Sequence, residues 1–298
     1  MEDTAIVECK VASREGSLTS AYLELTKPRI TFLVVLTAAA GFCLGSKGSF
    51  NSARLALMSI GIALLASGIS ALNQYIERDL DGLMNRTMYR PLPAGKLTSS
   101  TAFVFGVLLS TAGLLFLTAF ISVLAGGLGL LTLAAYLFGY TPLKTRSSLS
   151  TVVGAFPGAM PPLIGWAAAR GTVGIEAWIL FAILFLWQFP HFLAIAWMYK
   201  DDYARAGIKM LPVVEPDGRV TGQQILTYTL MLIPVSMLPT LVHLAGNIYM
   251  LGALLLGTVF LYFSARAAVV RSKWQARRLL QASVLYLPAL FVLMVLNP

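Results

Sequence analysis

The sequence predicts an all-α integral membrane protein, one domain crossing the bilayer nine times. Three observations carry this. Of 298 residues, 57% are hydrophobic and only 12% charged, whereas a soluble domain averages about a quarter charged. So much apolar surface cannot be hidden from water, and lipid is the natural solvent. Nine apolar stretches approach the ~20 helical residues that cross ~30 Å of hydrocarbon. The basic residues between those stretches sort strongly to one side.

Taken in order, residues 1–20 are polar and of mixed charge, with no apolar segment of signal-peptide type, and read as a flexible tail. The membrane domain spans 21–298. Its spans are predicted at Ile30–Leu44, Leu55–Tyr75, Thr101–Phe120, Ser122–Tyr140, Ser150–Ala169, Ala177–Tyr199, Ile225–His243, Tyr249–Ala267 and Leu279–Val295. The third and fourth nearly merge, because residues 120–122 carry no charge. Prolines 157, 161, 162, 190, 234, 239 and 288 fall inside spans. Membrane bundles tolerate such breaks when neighbours satisfy the freed carbonyls. They read as ordinary kinks or, in GAFPGAMPPLIGW (154–166), as the wall of a cavity.

With the N-terminus called inside, 19 of the 22 Lys and Arg residues fall on inside segments; only Lys47, Arg54 and Arg170 lie opposite. Cytoplasmic loops collect Lys and Arg, so the split supports both the count and a cytoplasmic N-terminus in a bacterial-type inner membrane. The net charge of +9 is therefore a membrane signature, and no nucleic-acid partner is expected. Cys9 and Cys43 have neither CxxC spacing nor a clear partner, which argues against a disulfide framework or thiolate metal site. No P-loop, GxSxG or HExxH motif occurs.

The 13 carboxylates are placed as tellingly as the cations. Beyond the tail they fall almost entirely in two inside loops, Glu77, Asp79 and Asp81 in one and Asp201, Asp202, Glu215 and Asp217 in the other. In NQYIERDLDGLMNRTMYRP (73–91), Asn73, Glu77 and Asp81 stand at i, i+4 and i+8, one face of a continued helix. Stacked like charges repel unless a cation neutralises them. An oxygen-only donor set suits Mg²⁺, which shares its sites with phosphates, and Arg86 and Arg90 have the geometry to grip phosphate oxygens. The alternative reading is a charged loop that anchors a helix among lipid headgroups.

In WQFPHFLAIAWMYKDDYARAGIKMLPV (187–213), His191 follows Pro190 near mid-span, and Asp201 and Asp202 lie ~15 Å further along. His191 is either a hydrogen-bonded interior histidine or a contact to substrate or metal. Lys144 and Arg146, in YTPLKTRSS (140–148), are routine inside charges or further diphosphate ligands.

These stretches carry a resemblance. NQYIERDLDGLMNRTMYRPLPAG is similar to the first aspartate-rich motif of the UbiA superfamily of intramembrane prenyltransferases. YLELTKPRIT (22–31), the YTPLKTRS loop, PPLIGW (161–166) and WQFPHF…DDYARAGIKMLPV resemble the heme-farnesylating branch of that superfamily. The resemblance implies nine helices around a central cavity, Mg²⁺ as cofactor, farnesyl diphosphate as donor and heme B as acceptor. Heme O is the implied product, and heme A synthase and cytochrome oxidase assembly are implied downstream partners. It assigns catalysis to Asn73, Glu77, Asp81, Asp201 and Asp202, and metal binding to the same five with Asp79. Diphosphate binding falls to Arg78, Arg86, Arg90, Lys144, Arg146 and Lys209, and the heme pocket to His191. Glu77 replaces the usual aspartate, and the PHF segment replaces an acid common in other members.

The implied chemistry is electrophilic alkylation in a dry cavity, with diphosphate leaving, a heme vinyl attacking and water adding last. It needs no protein nucleophile. Two other readings remain: a superfamily member acting on a quinone precursor or chlorophyllide, and a cation-coupled transporter. Against the second, transporter sites lie near the midplane, and these acids gather at one face.

Overall fold

A computed structural model describes residues 17–46 and 48–297. Among them, nine helices are long and apolar enough to cross a membrane. The chain begins with a short helix, α1 (Leu18–Leu25), which takes up the last residues assigned to the tail; residues 1–16, including Cys9, lie outside the described residues. The spans follow as α2 (Pro28–Gly45), α3 (Ser52–Gly82), α4 (Ser99–Phe120), α5 (Val123–Leu143), α6 (Ser150–Arg170) and α7 (Ile175–Met198). After two short inside helices, α8 (Lys200–Arg205) and α9 (Leu211–Val214), come α10 (Arg219–Leu241), α11 (Asn247–Val270) and α12 (Lys273–Leu296). Each predicted span matches one of these helices. The near-merged pair separates at Ile121–Ser122, where the Ser122 hydroxyl caps α5 by accepting from the Ala125 N–H.

α6 and α7 are the central posts. In their apolar windows 72% and 61% of residues are buried, against 22–44% in the other seven spans. α2 and α5 pack on α6; α10 and α12 pack on α7. The outer helices expose large side chains such as Leu108, Leu115, Leu251 and Leu285, as a lipid-facing surface should.

In lipid, apolar burial between helices gains little, so close backbone approach does the work. At the α3–α4 crossing a Cβ on Gly68 would strike Ser110, and one on Gly113 would strike the Leu65 backbone. At the α2–α6 crossing the same holds for Gly41 against the Pro162 carbonyl and Gly165 against that of Ala38. Pro157, Pro161 and Pro162 all sit within continuous α6. The 154–166 segment is thus a packing surface for α2, and none of it lines the cavity described below.

The end opposite the N-terminus is tied by arginine. Arg54 donates to the carbonyls of Ala168 (2.7 Å) and Ile121 (3.0 Å), at the C-terminal ends of α6 and α4. Arg170 donates to Gly45 O at the end of α2 (2.6 Å). These two exceptions to the charge sorting cap orphaned helix carbonyls. Lys47, the third, lies outside the described residues.

Candidate active site

α3 runs on to Gly82, and this extension stacks Asn73, Glu77 and Asp81 along one buried face. They line a cavity of about 110 Å³ at the inside end of the bundle, together with Lys27, Arg86, Arg90, Tyr136, Tyr140, Lys144 and Tyr203. The start of α2, the ends of α3 and α5, the loop after α3, and α8 with the segment after it meet there.

Each carboxylate has a cation. Arg90 NH1 donates to Asp81 Oδ1 (2.8 Å) and Oδ2 (2.7 Å). Lys144 Nζ donates to Glu77 Oε1 at 2.5 Å and lies 4.4 Å from the centre of the Tyr140 ring. Burial opposes the Lys144 charge, but Tyr140 and Glu77 more than offset it, and its pKa rises above the ordinary lysine value. Lys27 goes the other way. Burial, with Arg90 and Lys144 nearby, pushes its amine down to about 7 even though Glu77 pulls against the fall.

Lys27 Nζ donates to Asn73 Oδ1 (3.1 Å), which leaves Asn73 Nδ2 buried with no acceptor. Arg86, from the α3–α4 loop, lies over the rings of Tyr203 (4.5 Å) and Tyr199 (5.0 Å) and so bridges the two inside loops at the cavity mouth. The wall therefore carries three cations, Arg86, Arg90 and Lys144, and the Lys27 amine against two carboxylates, plus an amide N–H with nothing to bind. That surplus calls for an anion. The three oxygen-bearing side chains on α3 are a donor set of the kind Mg²⁺ takes when phosphate oxygens and water complete its shell. Among the described residues, no three His, Cys, Asp or Glu side chains converge as a self-sufficient metal site.

The other expected residues lie elsewhere. Asp79 is exposed beside Arg78 (3.6 Å), and Arg78 turns back onto Tyr75. Arg146 is exposed. Lys209 is exposed too, yet its backbone N–H donates to Lys144 O (2.8 Å), holding the 208–210 segment across the cavity, where Ile208 and Met210 form part of the lining. Asp202 is buried beside the cavity-lining Tyr203, its carboxylate held by Arg205. Asp201 faces away, pairing with Lys273 at 2.8 Å, which depresses its pKa.

His191 does not line the cavity. Its ring stacks on Trp187 (4.7 Å between centroids), and its Nδ1 is 2.8 Å from Ser283 Oγ on α12. The Ser283 hydroxyl donates to Leu280 O (2.6 Å), so it accepts from His191. The proton is thus on Nδ1, and Nε2 keeps its lone pair.

Sequence reasoning missed Lys27, Tyr136, Tyr140 and Tyr203 as wall residues. Lys27 has a left-handed backbone, φ 47°, immediately before Pro28. Such a conformation is rare for a residue with a side chain, costs roughly 1–3 kcal/mol and collects at functional sites. Tyr136 and Tyr140 belong to a π-helical stretch, Ala135–Tyr140, inside α5, and bulges of this kind also gather at such sites.

Comparison with known proteins accords with this geometry. A family model described as the UbiA prenyltransferase family matches residues 34–294. Protoheme IX farnesyltransferase of Solibacter usitatus is 53% identical over 285 residues, covering 93% of this chain and 98% of that protein. In structure, a UbiA homolog from Aeropyrum pernix in its apo form superposes with a TM-score of 0.73 at 22% identity, covering 89% of this chain and 98% of that one. A UbiA homolog from Archaeoglobus fulgidus bound to GPP and Mg²⁺ gives 0.66 at 15%, covering 92% and 99%. Matched along nearly its full length by both the family model and a relative more than half identical, the chain belongs to the UbiA prenyltransferase family.

Proposed function

We propose that the chain transfers a farnesyl group from farnesyl diphosphate to a vinyl group of heme B, with addition of water, giving heme O and diphosphate. The carrying observation is the cavity: a polar chamber rich in cations at the inside end of an apolar bundle, which suits a diphosphate whose prenyl chain would extend among hydrophobic side chains. The heme acceptor is supported by the name of the Solibacter relative. The inside loops are taken as cytoplasmic, on the charge split.

Lys27, Arg86, Arg90 and Lys144 grip the diphosphate and orient the allylic carbon away from the loops. Asn73, Glu77 and Asp81 would hold magnesium against it, adding positive charge where the leaving group becomes more negative. As the C–O bond breaks, its electron pair goes to diphosphate. The terminal vinyl carbon of the heme bonds to the farnesyl carbon, and water then adds at the neighbouring vinyl carbon with loss of a proton. Tyr136, Tyr140, Tyr203, Ile208 and Met210 line the cavity and would limit early capture by water. His191, with Nδ1–H held by Ser283 outside the diphosphate cavity, would meet the heme acceptor.

The test is product mass spectrometry on the detergent-solubilised protein with heme B and farnesyl diphosphate, and separately with 4-hydroxybenzoate. Heme O only with heme is expected. A prenylated benzoate with no heme product overturns the acceptor, and no product from any acceptor overturns the enzyme reading.

A further inference from the structure

The cavity holds both of its carboxylates against cations of its own wall, which leaves a bare metal ion little to bind. Asp81 gives both oxygens to Arg90, and Glu77 gives Oε1 to Lys144. Asn73 gives its oxygen to Lys27. All three oxygen-bearing side chains on the α3 face are thus engaged by cations of the same cavity wall. The formal charge of that wall, from Arg86, Arg90 and Lys144 against Glu77 and Asp81, is positive even without Lys27. A divalent cation arriving alone meets net repulsion and must displace two ion pairs, in a site where each partner is largely shielded from water. A diphosphate meets the opposite situation. Its oxygens offer Arg90 and Lys144 an acceptor of higher charge, and drawing those cations away uncovers Asp81 and Glu77.

We infer that the metal and the diphosphate load together: Arg90 and Lys144 serve as stand-in cations that keep the α3 carboxylates closed to metal until a diphosphate takes them over. This rests on the diphosphate reading above and adds a binding order to it. It predicts strong positive linkage, which is reciprocal: metal tightens diphosphate by the factor by which diphosphate tightens metal. It also means that the free enzyme does not hold magnesium in an idle state.

Two measurements on the full chain in detergent decide it. In the first, Mn²⁺ alone is titrated and free metal read from its paramagnetic resonance signal. Wild type is expected to leave that signal unchanged. Lys144→Gln and Arg90→Gln, which each uncover one carboxylate, are expected to bind Mn²⁺ at least about tenfold more tightly, within the range of coupling between linked sites. They should also gain thermal stability on adding metal, where wild type does not. Arg86→Gln removes the same charge from the wall without touching either carboxylate, and its Mn²⁺ affinity should stay within about twofold of wild type. Size-exclusion elution shows which variants are folded, and either glutamine variant at Lys144 or Arg90 suffices.

In the second, binding of inorganic diphosphate is measured with Mg²⁺ and with EDTA; at least about tenfold tighter binding with Mg²⁺ is expected. Wild type that binds Mn²⁺ alone as tightly as the Lys144 and Arg90 variants overturns the inference and leaves the proposed function standing. So does Arg86→Gln opening the site as far as they do. A wild type that ignores diphosphate under both conditions overturns the diphosphate reading, and the binding order with it.

Discussion

Cutting the Asp81–Arg90 pair from either side should give unequal results. Asp81 is 1% exposed and the Arg90 side chain 28%. Among the described residues, the side-chain partner of the carboxylate is Arg90 alone, since Thr87 donates to the Asp81 backbone carbonyl instead. Arg90→Gln therefore strands a buried charge. Removing one partner of a buried pair costs roughly 3–5 kcal/mol, and the lower end applies because the polar cavity admits water. Asp81→Asn leaves an amide oxygen that still accepts from Arg90, and the guanidinium can turn to solvent, so the cost is about 1–2 kcal/mol. At roughly 2–4 °C per kcal/mol, Arg90→Gln should melt on the order of 10 °C below wild type and Asp81→Asn only a few degrees below. The double variant should recover part of the Arg90→Gln loss. The assay is tryptophan fluorescence during thermal unfolding in one detergent at one scan rate, since unfolding of such proteins is governed by rate. Equal losses for the two single variants, or a double variant worse than their sum, would refute the buried-charge argument.

Other consequences are more direct. Glu77→Gln and Asp81→Asn should each lower farnesyl transfer by 10²-fold or more, the scale for losing charge stabilisation at a leaving group. Asp201→Asn, whose side chain faces Lys273 outside the cavity, should stay within a few-fold in the same turnover assay. Gly165→Ala forces a methyl into the Ala38 carbonyl and should cost about 1–3 kcal/mol, while Gly127→Ala, with open space around it, should melt at or slightly above wild type. Ser283→Ala frees the His191 ring to rotate and lose its fixed tautomer; heme B titrated without farnesyl diphosphate should then show a shifted or weakened Soret change, whereas binding of inorganic diphosphate, at a different place, should be untouched.

The spans and the α3 face were legible because each follows from a repeated physical constraint: apolar length, and the helical period of 3.6 residues. That Glu77 and Asp81 share a face with Asn73 needed only the helix to continue past Tyr75, and it does. The second acidic loop was not legible to the same degree. Asp201 and Asp202 are adjacent, and their partners were set by where α8 turned, Lys273 on α12 for one and Arg205 three residues on for the other. Nor could loop charge reveal that Lys27 reaches Asn73, which depends on a left-handed residue before a proline. The tyrosines were hidden among many aromatic residues; Tyr136 and Tyr140, four residues apart in the π-helical stretch of α5, share the wall.

The arginine ties at the far end have a mechanical consequence. There, guanidinium groups knot α3 to α4 and α6, and α6 to α2, through backbone carbonyls. At the cavity end, Lys27 before α2 and Lys144 after α5 meet α3 through side-chain pairs, which a ligand's own charge can exchange. The bundle is thus clamped at the end away from the cavity, and the cavity end is the one whose contacts a charged ligand can rearrange.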